Sequence, residues 1–118
     1  MVETTQKTLS ILHFNDVYNI EENPSSYGKL RGGAARFKTA WNEHGSKEKL
    51  CLFSGDLFSP SMLSFNFDGE QMVGVFNQLQ IHVSCLGNHD LDFGVLRMNE
   101  LVSQTAPTSW LMSNMSLN

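Results

Sequence analysis

Asp16, Asp56 and the run Asn88-His89-Asp90-Leu91-Asp92 are the residues whose types and spacing suit chemistry. Asp16, Asp56 and Asn88 recur at intervals close to one strand–helix–strand unit, which takes roughly 30 residues or more. Carboxylate and amide oxygens are hard ligands for Mg²⁺, Mn²⁺ or Ca²⁺, and an added imidazole extends the choice to Zn²⁺ or Fe. Two cations about 3.5–4 Å apart can share a carboxylate and clamp both the attacking and the leaving oxygen of a phosphoryl group. Asp56, the middle of the three, is the natural shared ligand. His89 follows Asn88 directly and Asp92 lies three residues further on. A carboxylate that orients an imidazole and favours its charged form makes a general acid for a leaving alcohol. Taken singly, an aspartate after a strand also serves as a helix N-cap or an Asx-turn. Recurrence once per unit, together with Gly87-Asn88-His89-Asp90, is what favours a metal centre.

These side chains need elements to hold them. Leu9–Phe14, Leu50–Phe53, His82–Leu86 and Trp110–Ser113 are short apolar runs that predict buried strands. Between them, three stripes have helical spacing: Ala34/Phe37/Trp41, Met72/Val75/Phe76/Leu79 and Val95/Met98/Leu101/Val102. Gly45 stands where a C-cap belongs, and Asn15 to Gly33 is expected to be one long loop. Strands alternating with amphipathic helices predict a parallel sheet with helices on its faces. In such sheets ligands bind beyond the carboxyl ends of the strands, where Asp16, Asp56 and Asn88 all fall. His13 and His82 are expected to be satisfied strand histidines, and His44 to complement a helix end. Lys29, Arg31 and Arg36 are expected to be solvated surface charge.

Composition narrows the class. The chain has 118 residues, 41% hydrophobic and 17% charged, with nine Gly and three Pro, which excludes disordered and collagenous chains. A net charge of −4 argues against polymeric nucleic acid as a partner. Apolar runs end after a few residues, so no membrane span is expected, and the first residues lack the pattern of a secretory signal. Cys51 and Cys85 are expected to be reduced and to pack as small hydrophobes, with a disulfide as the alternative. Asn114-Met115-Ser116 matches a glycosylation acceptor by chance in a chain without a signal. A cytoplasmic protein is the expectation.

Four blocks carry a family resemblance: His13-Phe14-Asn15-Asp16, Gly32-Gly33-Ala34-Ala35-Arg36, Ser54-Gly55-Asp56-Leu57-Phe58-Ser59-Pro60-Ser61, and Gly87-Asn88-His89-Asp90-Leu91-Asp92-Phe93-Gly94. From about Leu9 to the last strand the chain resembles the N-terminal metallophosphoesterase domain of the 5′-nucleotidase family, in the calcineurin-like superfamily. The resemblance implies the N-terminal part of a four-layer α/β/β/α sandwich, two divalent ions (Mn, Zn, Fe, Mg or Ca) and hydrolysis of nucleotide phosphate esters. It implies that Asp16 binds the first ion, Asp56 bridges, Asn88 binds the second, and His89 with Asp92 form the catalytic dyad. Tyr18 stands where the family's Asp-x-His motif carries histidine. The family's later histidines, including Gly-His-x-His, have no counterpart, since no histidine follows His89.

The expected activity is therefore a two-metal phosphoric ester hydrolase acting on nucleotides or other phosphate esters, with oligomeric state open. The expected organisation is an extended or disordered segment 1–7 and a partial metallophosphoesterase domain 8–118, without its C-terminal half and nucleoside-binding domain. The alternative is a truncated or non-catalytic relative that binds metal or nucleotide weakly. A dinucleotide module is disfavoured, because the loop around Gly28, Gly32 and Gly33 lacks Gly-x-Gly-x-x-Gly.

Overall fold

A computed structural model describes residues 7–25, 27–44 and 48–116. Expectations for the first six residues and for a Gly45 cap fall outside these. Four strands, β1 (Ser10–Phe14), β4 (Lys49–Phe53), β5 (Val83–Cys85) and β6 (Ser109–Leu111), form one parallel sheet in the order β1-β4-β5-β6. The crossovers contain α1 (Ala34–Glu43), α3 (Gln71–Leu79) and α4 (Gly94–Ser103), with a short α2 (Ser64–Phe67) ahead of α3. The last two strands are shorter than the apolar runs suggested. His82 falls outside β5, where its ring Nδ1 instead accepts the Cys51 N–H at 3.0 Å.

Strand order here equals chain order, and this decides where the helices go. Parallel crossovers within a sheet are right-handed in nearly all cases. Steps that all run in one direction therefore leave every helix on the same side. The buried side chains agree: Trp41 of α1, Met72, Phe76 and Leu79 of α3 and Leu101 of α4 share one cluster with Cys51 and Phe53 of β4. Aromatic rings close it, with Phe14 and Trp41 centroids 5.1 Å apart and Phe53 and Phe76 5.3 Å apart. The Trp41 indole N–H donates to the Leu79 carbonyl at 2.9 Å, tying α1 to α3. The helices thus cover one face, not both as the alternating pattern suggested. On the opposite face Ile11 and Leu111 are each 59% exposed, while Leu50, Leu52, Val83 and Cys85 are half-buried.

The expected loop from Asn15 to Gly33 contains a two-stranded antiparallel hairpin, β2 (Glu22–Pro24) and β3 (Leu30–Gly32). Arg36 of α1 braces it, pairing with Glu22 at 2.9 Å and donating to the Leu30 carbonyl, while its side chain stays in solvent as expected. His13, on the edge strand β1, is hydrogen-bonded through Nε2 to Ser54 Oγ at 2.6 Å. Cys51 and Cys85 are free thiols, as expected. No helix among the described residues is long and apolar enough to cross a membrane.

Candidate functional site

The rim beyond the strand ends is assembled by backbone pairing that continues past the strands. Ser54 N–H donates to the Phe14 carbonyl, Asp16 N–H to Gly55 and Val17 N–H to Asp56, each at 3.1 Å. Asp16 and Asp56 both take a left-handed backbone, with φ of 55° and 63°. L-residues other than Asn and Asp seldom tolerate this conformation, which at each position turns the chain sharply as it leaves the sheet. Gly55 and Gly87 let the loops after β4 and β5 touch. A Cβ on Gly55 would collide with the Gly87 backbone, and one on Gly87 would collide with Asp56.

Asp90, 1% exposed, is the rivet between these loops. Its Oδ2 accepts the N–H groups of Asp56 at 2.8 Å and Gly87 at 2.9 Å, while Oδ1 accepts those of Leu57 at 2.7 Å and Phe58 at 3.1 Å. The Asp56 carboxylate is thereby held in place, and its Oδ1 accepts the His89 N–H at 2.8 Å. Tyr18 completes the cluster: its hydroxyl lies 2.5 Å from Asp16 Oδ1 and 3.3 Å from Asp56 Oδ2. Asn15 Nδ2 donates to the other Asp16 oxygen. The Tyr18 hydrogen bond, followed by that from Asn15, holds the Asp16 carboxyl below its usual range. Reciprocally, donation to Asp16 pushes the Tyr18 phenol far above its ordinary value, so it stays protonated.

His89 and Asp92 stand on the 3₁₀ turn that follows Asn88, with Nδ1 and Oδ2 3.0 Å apart. That hydrogen bond raises the His89 pKa and lowers that of Asp92, and the Ser59 hydroxyl, 2.8 Å from the same Oδ2, lowers Asp92 further. With Nδ1 turned to Asp92, the imidazolium carries its second proton at Nε2. Asn88 opens the turn and is exposed. A cleft of about 270 Å³ lies on the Asp16 side of the rim, lined by Asp16 and Tyr18 and by Phe14, Phe37, Met72 and Phe76.

No protein-family model matches the chain. Over 95 residues, 74% of the chain, it is 34% identical to the snake venom 5′-nucleotidase of Crotalus adamanteus and 33% identical to that of Gloydius brevicauda. The structure of Haemophilus influenzae NAD nucleotidase superposes with a TM-score of 0.77 at 27% identity, covering 90% of this chain and 20% of that one. This places the chain in the 5′-nucleotidase family. The 5′-nucleotidase precursor of Thermus thermophilus, at 23% identity and a TM-score of 0.75, shares the fold, covering 90% of this chain and 22% of its own. The chain spans 16% of the length of both venom relatives.

The family resemblance implies two divalent ions, and the donor chemistry bears on that directly. Asp16 and Asp56 turn oxygens toward one shared hydroxyl, and Asn88 adds an amide on the adjoining loop. These are fit in kind for hard divalent cations. They are short in number for two spheres, and among the described residues no group of three or more His, Cys, Asp or Glu is arranged to hold a metal ion. The sequence gives no role of their own to two residues that shape the site, Asp90 and Ser59. Both stand inside the motif blocks, but their work is done through hydrogen bonds to loops about 30 residues away, which spacing does not reveal.

Proposed function

We propose that the protein is a hydrolase of nucleotide phosphate esters whose catalytic rim contains Asp16, Asp56, Asn88, His89 and Asp92. The observation that carries this is the meeting of Asp16, Asp56 and the His89–Asp92 pair on one rim, linked by the hydrogen bonds from Tyr18 and from the His89 N–H. Membership of the family supports nucleotides as the substrate class. Asp16, Asp56 and Asn88 would hold divalent cations, which when bound polarise phosphoryl oxygens and acidify water. His89 holds a proton at Nε2 for the leaving ribose oxygen. Asp92 orients the ring and stabilises its charged form, and Ser59 fixes Asp92. Asp90 keeps the Asp56 loop in register with the His89 turn. Residues 8–118 are then part of a larger metallophosphoesterase domain, with base recognition by residues beyond them.

The test is phosphate release from AMP with Mn²⁺ by the intact protein, comparing wild type with Asp56→Asn and His89→Ala. A loss of about a hundredfold or more is expected for each, the scale of a general-acid contribution, and unchanged rates would discard the assignment. A non-catalytic relative is the second reading, favoured by Tyr18, whose hydroxyl occupies carboxylate oxygens that a cation would use. Tight Mn²⁺ binding with turnover excludes it.

A further inference from the structure

The four carboxylate oxygens of Asp16 and Asp56 divide into two pairs. Asp16 Oδ2 accepts from Asn15, and Asp56 Oδ1 accepts the His89 N–H at 2.8 Å, so both are already engaged within the rim. Asp16 Oδ1 and Asp56 Oδ2 face the Tyr18 hydroxyl, at 2.5 Å and 3.3 Å. They are the oxygens a cation touching both aspartates would take, one from each. A phenol has a single proton to donate, and the shorter contact claims it for Asp16. The ring itself is held apart from this competition, edge-on to His89 with centroids 6.2 Å apart.

The geometry points to Tyr18 as an affinity-setting residue of the site, whose hydroxyl competes with the cation for Asp16 Oδ1 and Asp56 Oδ2. Binding of the ion displaces the phenol instead of recruiting it as a ligand. The hydroxyl therefore weakens the site for every divalent ion. This rests on the reading of Asp16 and Asp56 as metal ligands. Tyr18→Phe keeps the ring and its contact with His89 while removing the competitor.

Calorimetric titration of the intact protein with Mn²⁺ alone, for wild type, Tyr18→Phe and Asp56→Asn, tests it. Tyr18→Phe is expected to bind about tenfold more tightly, the scale of one lost competing hydrogen bond, and Asp56→Asn to lose binding. Equal or weaker binding by Tyr18→Phe overturns the proposal and makes Tyr18 a bystander or a ligand. Independently of how that variant folds, wild type titrated with Zn²⁺ is expected to show no tyrosinate absorption, and its appearance would also overturn the proposal. Binding by Asp56→Asn equal to wild type, or no binding by any of the three, would sink the metal reading itself.

Discussion

Two carboxylate clusters share the rim and are built on opposite plans. Asp90 is enclosed and spends both oxygens on four backbone N–H groups from two loops. Asp16 is exposed and Asp56 is 8% exposed, and the group between them is the Tyr18 side chain. Backbone donors cannot leave without the loops unfolding, whereas a phenol can rotate away. The first plan makes a fixture and the second an exchangeable site. The difference separates the residue that builds the rim from those able to act on a ligand.

Substitutions can break that contrast. Asp90→Ala strands four buried or half-buried N–H groups, and a loss of roughly 3 kcal/mol or more is expected in urea unfolding. A wild-type midpoint for this variant would abolish the distinction. Gly87→Ala forces a methyl group against Asp56 and its backbone, and should cost about 1–3 kcal/mol in the same assay. Tyr18→Phe removes one neutral, accessible hydroxyl, and about 1 kcal/mol or less is expected. A larger loss would make Tyr18 part of the frame.

The smallest effect concerns His89. Its pKa is raised first by the Asp92 hydrogen bond, so Asp92→Asn should lower its midpoint toward an ordinary imidazole in an NMR titration of the metal-free protein. A group whose folded value is raised contributes its stabilisation fully below the unfolded imidazole value, about 6.5. That contribution fades as pH rises through the higher folded value. In Asp92→Asn the pH-dependent increment should shrink, the charges of Asp56 and Asp16 sustaining the remainder, and an unmoved midpoint would detach Asp92 from the dyad.

Much of this rim was legible because each unit leaves one polar residue at its strand end, so Asp16, Asp56 and Asn88 announce themselves by recurrence. The helices showed through their apolar stripes, although Val73 is buried where the pattern favoured Val75. The hairpin at Glu22–Pro24 and Leu30–Gly32 did not show, since three-residue polar strands carry no periodic signal. Placement of all helices on one side did not show in the periodicity either, although the α/β/β/α layering implied by the resemblance contains it. Periodicity reports which side of a helix is apolar, while the direction in which strands are added decides the side of the sheet. Asp90 was silent because its partners are main-chain groups, which look alike in any sequence.

The uncovered side of the sheet is wired to the rim. His13 projects from that side and grips Ser54, which immediately precedes Gly55 and Asp56. A layer settling over Ile11, Leu50 and Leu52 would press on this imidazole and, through Ser54, on the turn that carries Asp56. Any such layer would thus be coupled to the strand ends through one imidazole and one serine.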